Sequence, residues 1–109
     1  MYKICVFAGT SEGRRITEFL LKQETAVFAC TATGYGGVLL PESEKLRVSS
    51  KRLSEDEMLE LFNKELFDLV IDATHPYADA ATKSISNAAE KAGLKYIRIA
   101  RENPNTGRR

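Results

Sequence analysis

A chain of 109 residues, 43% hydrophobic and 28% charged, has the composition of one folded domain with room for a single core, not of a disordered or membrane-embedded segment. Its formal net charge of +1, with acids and bases interspersed, gives no reason to expect nucleic acid or an anionic membrane as partner, so small-molecule chemistry is the default. The opening "MYKICVFAG" is too short for a membrane span or signal peptide, and Cys5 and Cys30, each inside an apolar run, read as reduced buried thiols, which predicts a cytoplasmic protein.

In chain order, Tyr2 to Ala8 is a nearly continuous apolar run closed by Gly9, the pattern of a strand buried on both faces. From Ser11 to about Gln23 the period changes: Ile16, Phe19 and Leu20 fall on one helical face, and Thr10 or Ser11 can cap the first turn. Ala26 to Thr31 is a second strand, "TATGYGGVLLP" a loop, and Leu46 to Val48 a short third strand. Ser54 and Glu57 have the spacing of a capping box, opening a helix whose stripe is Met58, Leu61 and Phe62. Leu69 to Asp72 is the fourth strand. Pro76 suits the first position of the next helix, along which Ala78, Ala81, Ile85, Ala88 and Ala92 form a narrow face of mostly small residues. Gly93 ends that helix, and Tyr96 to Ile99 is the last strand.

Strands alternating with helices predict right-handed βαβ units, and so an α/β, Rossmann-like, doubly wound parallel sheet of about five strands with helices on both faces. Residues 1–101 form this domain. The polar stretch 102–109 reads as a linker or a truncated end.

In such a sheet the ligand crevice lies beyond the carboxyl ends of the strands. Three loops meet that condition. The first, "GTSEGR", offers free backbone N–H groups at a helix start together with Gly9 and Gly13; it suits a phosphate or a plain tight turn equally well, because G-x-x-x-G lacks the middle of the common dinucleotide fingerprint. The second follows the strand that usually ends in an acid gripping the adenosine ribose. Thr31 and Thr33 stand there instead, with Arg14, Lys51 and Arg52 available to a 2′-phosphate, which favours NADPH over NADH; the alternative is that these cations are merely solvated. The third, "THPY", places Thr74, His75 and Tyr77 at the end of a strand. His75, the single histidine, is either a group facing the crevice or a satisfied turn residue, and Asp72 and Thr74 suit turn formation.

Together "AGTSEGR", "TATGYG", "KRL" and "DLVIDATHPYA" carry a resemblance to the precorrin-6A reductase family, which includes the cobalt-precorrin-6A reductases of cobalamin biosynthesis. The resemblance runs from Ile4 to Arg101, with "IDATHPYA" its most specific element and Ala8 standing where family members have glycine. It implies a two-domain enzyme that reduces a ring double bond of a tetrapyrrole with NADPH or NADH, of which this chain matches the N-terminal, nucleotide-binding domain. The C-terminal domain that closes the substrate site is not in this sequence, so the isolated chain is expected to be inactive. Carried over by residue, the diphosphate loop is Gly9, Thr10, Ser11, Glu12 and Gly13, followed by Arg14. The second cofactor loop is Thr31, Thr33, Tyr35 and Gly36, with Arg52 beside it. The resemblance places His75 and Tyr77 where nicotinamide and macrocycle meet, as candidate catalytic groups, with Thr74 as a further substrate contact. Arg98 or Arg101 can pair with substrate carboxylates or serve as exposed strand-edge charge. No metal ligand set is expected, and the oligomeric state is open. Two readings from other classes stand beside this one: a non-catalytic dinucleotide-binding regulatory module, and a receiver-like signalling domain. The latter needs clustered acids after the first strand, where Gly9, Thr10 and Ser11 stand instead.

Overall fold

The computed structural model describes residues 2–9, 11–31, 40, 43–74 and 78–99. Five strands, β1 (Tyr2–Phe7), β2 (Thr25–Cys30), β3 (Leu46–Ser49), β4 (Leu69–Asp72) and β5 (Lys95–Arg98), alternate with helices α1 (Ser11–Leu21), α2 (Glu55–Glu65) and α3 (Asp79–Ala92). All four strand pairings are parallel and the order is β3-β2-β1-β4-β5. The expected doubly wound α/β sheet is therefore the observed one.

Burial on both faces explains why β1 reads as unbroken hydrophobic sequence. Ile4, Val6 and Ala8 point to one face with Val27 and Ile71, where Ile16, Leu20 and Leu21 of α1 cover them. Cys5 and Phe7 point to the other, joining Cys30, Met58, Phe62, Phe67, Val70 and Ile85 under α2 and α3. The helices thus lie on both sides, and the period of two along each strand sorts side chains between the two layers. Phe7, Phe62 and Phe67 meet edge to face, with centroids 6.2 Å apart in both pairs.

Two details of α1 and α3 differ from the sequence reading. Phe19 is 60% exposed, because the face of α1 that meets the sheet is centred on Gly13 and Thr17, both buried, which leaves position 19 at its rim. Thr17 tolerates burial by donating its hydroxyl to the Gly13 carbonyl at 2.8 Å. Helix α3 runs from Asp79, with Ala78 at the N-cap position in a non-helical conformation (ψ 60°), a later start than the sequence reading; Pro76 itself lies outside the described residues. Its small-residue face behaves as expected: Ile85, Ala88 and Ala89 are buried against the sheet.

The capping box of α2 is present in full. Ser54 Oγ accepts from the Glu57 N–H at 3.1 Å, and Glu57 Oε1 accepts from the Ser54 N–H at 2.9 Å. Helix α2 ends at Leu66, in the left-handed region at φ 55°, and α3 ends at Gly93, at φ 74°. Among the described residues no helix is long and apolar enough to cross a membrane.

Candidate functional site

Strand order reverses between β1 and β4. From β1 the chain turns into α1 on one face, and from β4 it proceeds toward α3 on the other, so the two connections diverge and leave a crevice at the carboxyl edge. Hydrogen bonds run past the strand ends and set that edge: Ala8 N–H donates to Cys30 O at 2.8 Å, Thr31 N–H to Ser49 O at 2.8 Å, and Ala73 N–H to Phe7 O at 3.0 Å. A cleft of about 550 Å³ opens here, lined by Gly9, Thr31, Lys51, Arg52, Thr74, Ala78 and Ala81 among others. Residues from all three predicted loops therefore converge on one cavity.

The β1–α1 turn is built by two glycines with different tasks. Gly9 is exposed, and a Cβ added there would meet nothing within 4 Å, so the approach to the first turn of α1 is open. Gly13 is buried, and a Cβ there would lie 2.7 Å from Ala8 Cα and 2.8 Å from Ala8 Cβ. The backbone of α1 thus rests directly on the end of β1, which aims the start of the helix at the crevice. Ser11 and Glu12 are half-buried in the first turn, the Ser11 hydroxyl donating to Glu12 Oε1 at 3.5 Å.

At the end of β2, Thr31 is buried and its hydroxyl donates to Ser49 O at 3.5 Å, so no carboxylate occupies this position. Lys51 and Arg52 both line the cleft and differ in how they are held. Lys51 pairs with Glu57 at 2.7 Å. That hydrogen bond, with the one from the Ser54 backbone, pulls the Glu57 carboxyl down to about 2. Arg52 is exposed and has no hydrogen-bonding or ionic partner among the described residues. Arg14 is half-buried on α1 and does not line the cleft.

The end of β4 carries a polar network whose full membership the sequence does not announce. Asp72 is fully buried. Its Oδ1 accepts from Thr74 N–H at 3.1 Å and from Thr74 Oγ1 at 2.7 Å; its Oδ2 accepts from Tyr96 Oη at 2.7 Å and pairs with Arg98 at 3.1 Å. Arg98 also donates to Thr82 at 2.6 Å and Thr74 at 3.2 Å. Burial pushes the Asp72 carboxyl up, but the hydrogen bonds from Thr74 and Tyr96 outweigh it and hold the group below its ordinary range. Burial and the same carboxylate push the Tyr96 hydroxyl well above its ordinary range. Arg98 is therefore a half-buried tie between β5, β4 and α3 and not an exposed strand-edge charge. The turn at Asp72 and Thr74 was legible, as an aspartate two residues before a threonine. Tyr96, Thr82 and Arg98 were not linked to it, since no short-range spacing joins them.

Thr10, Thr33, Tyr35, Gly36, His75, Tyr77 and Arg101 lie outside the described residues. Thr74 and Ala78, which flank residues 75–77, both line the cleft. Among the described residues no cluster of three or more His, Cys, Asp or Glu has the makings of a metal site.

Residues 3–109 match the family described as Precorrin-6x reductase CbiJ/CobK. The chain belongs to this family. Cobalt-precorrin-6A reductase of Priestia megaterium is 31% identical over 98 residues, covering 90% of this chain and 38% of that protein. The solved structure of CobK precorrin-6A reductase superposes with a TM-score of 0.79 at 23% identity, over 94% of this chain and 40% of that one. The chain thus spans about two fifths of the length of these relatives. The fold is shared more widely: the Bordetella bronchiseptica enzyme WbmH, solved in complex with NAD+, aligns at a TM-score of 0.72 and 17% identity over 86% of this chain and 36% of that one.

Proposed function

We propose that this chain is the cofactor-binding part of a precorrin-6A reductase of cobalamin biosynthesis, and that its cofactor is NADPH. The observation that carries the reading is the cleft at the β1/β4 reversal, where an open Gly9, an acid-free β2 end at Thr31 and Arg52, which has no ionic partner among the described residues, converge. These features fit a phosphorylated dinucleotide. Gly9 leaves room for a diphosphate at the start of α1, whose N–H groups and dipole favour an anion. A carboxylate after β2 would select a free ribose 2′-hydroxyl and repel a 2′-phosphate; Thr31 does neither, and Arg52 supplies a positive charge.

When bound, the reduced nicotinamide supplies a hydride to a ring double bond of precorrin-6A or its cobalt-containing equivalent. The chain's own part is orientation and exclusion of water. In this reading His75 and Tyr77, between the cleft-lining Thr74 and Ala78, orient the macrocycle or relay a proton, while Thr10, Thr33, Tyr35 and Gly36 complete the cofactor loops and Arg101 meets a substrate carboxylate. The relatives' greater length accords with a C-terminal partner domain that completes the substrate site. A cytoplasmic setting, where free thiols such as Cys5 and Cys30 stay reduced, goes with the same reading.

The test is anaerobic assay of a two-domain protein carrying this sequence. Consumption of NADPH only when precorrin-6A or its cobalt form is supplied is the expected result. A cofactor that binds but is never oxidised in the presence of either tetrapyrrole would favour the alternative, a regulatory dinucleotide-binding module.

A further inference from the structure

Cys5 on β1 and Cys30 on β2 are free thiols, 0% and 5% exposed, with sulfurs 4.0 Å apart in an apolar core that includes Phe7, Met58, Phe62 and Ile85. Their register decides what this pair can do. Cys5 stands opposite Phe28 and Cys30 opposite Phe7, so the two cysteines are diagonal neighbours, two positions apart. Diagonal Cα separations on adjacent strands are about 7–8 Å, beyond what a disulfide spans without moving the backbone. An ion placed between the sulfurs has no such difficulty. Linear ligation at metal–sulfur distances of about 2.3 Å needs the sulfurs about 4.6 Å apart, which side-chain rotation from the present 4.0 Å supplies.

We propose that Cys5 and Cys30 form a two-coordinate site for a soft divalent ion of the mercuric class, reached through the cleft that Cys30 lines. Two S–H bonds break, two metal–sulfur bonds form, two protons pass to solvent, and no electron is transferred. Charge balance selects the ion: a divalent cation with two thiolates is neutral and is not penalised by burial, whereas a monovalent one leaves a negative charge in an apolar core. Coordination number selects it again. Zinc requires four ligands in a structural site, and among the described residues no cluster of three or more His, Cys, Asp or Glu exists to provide them.

The experiment is titration of the reduced chain with mercuric chloride, followed by native mass spectrometry and sulfur-to-metal absorbance, with glutathione as competing monothiol. One ion per chain is expected, retained against excess glutathione, while zinc chloride in a parallel titration is not retained. Cys5→Ala and Cys30→Ala should each weaken retention by about 100-fold or more, since either removes the intramolecular second bond. Two ions per chain that glutathione strips, or undiminished retention in a folded single variant, would overturn the site. X-ray absorption on the wild-type complex decides without any variant: two sulfur neighbours support it, and one sulfur with a lighter neighbour refutes it.

Discussion

Gly13 and Leu66 show how single positions set geometry in opposite senses. Gly13 has no space for a Cβ, because Ala8 Cα would lie 2.7 Å away as backbone that does not rotate aside. Gly13→Ala should therefore cost about 1–3 kcal/mol of stability, read from the urea midpoint, and should tilt α1 away from the end of β1. Leu66 is the converse case. It closes α2 at φ 55° with 72% of its surface exposed, so it bears left-handed strain and buries little in return. Leu66→Gly should raise stability by about 0.5–1 kcal/mol in the same assay. Neither effect was legible beforehand. Gly13 read as a glycine of the phosphate loop, and its tight packing on Ala8 is a second demand that the spacing did not reveal; Phe19 read as core and is exposed, because buried Thr17 occupies the face that hydrophobicity alone assigns to larger residues.

Between elements, the Asp72 network joins β4, β5 and α3 where the chain leads into residues 75–77. Tyr96→Phe removes one donor from a buried carboxylate and should destabilise the fold by about 1–3 kcal/mol. The sign of the pH dependence follows from the direction of the shift. A carboxyl held below its unfolded-state value contributes stability that is present above that value and is lost as pH falls through the folded one. Denaturation midpoints should thus fall as pH drops below the ordinary aspartate range, and Asp72→Asn, though less stable at neutral pH, should flatten that acid limb. The helices themselves were readable from local signals, since the capping box spans only Ser54 to Glu57 and the α3 face repeats along one element. The network was not. Its members come from residues 72 to 98 and meet only after two parallel strands and a helix have docked.

For the molecule as a whole, alternation of strand and helix was enough to indicate the parallel sheet, whose order is β3-β2-β1-β4-β5. The position of the cleft followed from that order. What composition and spacing left open was which cations serve it: Arg14, Lys51 and Arg52 read alike in sequence, and only the fold separates Arg14 on its helix and Lys51 in its pair with Glu57 from Arg52, which lines the cleft with no ionic partner among the described residues. In the function proposed above, this cleft holds a nicotinamide dinucleotide and Arg52 reads its 2′-phosphate. Calorimetric titration of the wild-type chain and of Arg52→Ala with NADPH and NADH tests it most directly. Saturable binding with NADPH preferred is expected, with that preference reduced by about tenfold or more in Arg52→Ala, as follows from loss of a charge-assisted hydrogen bond. Equal affinity of the wild-type chain for both cofactors, or a preference that Arg52→Ala leaves intact, would contradict it.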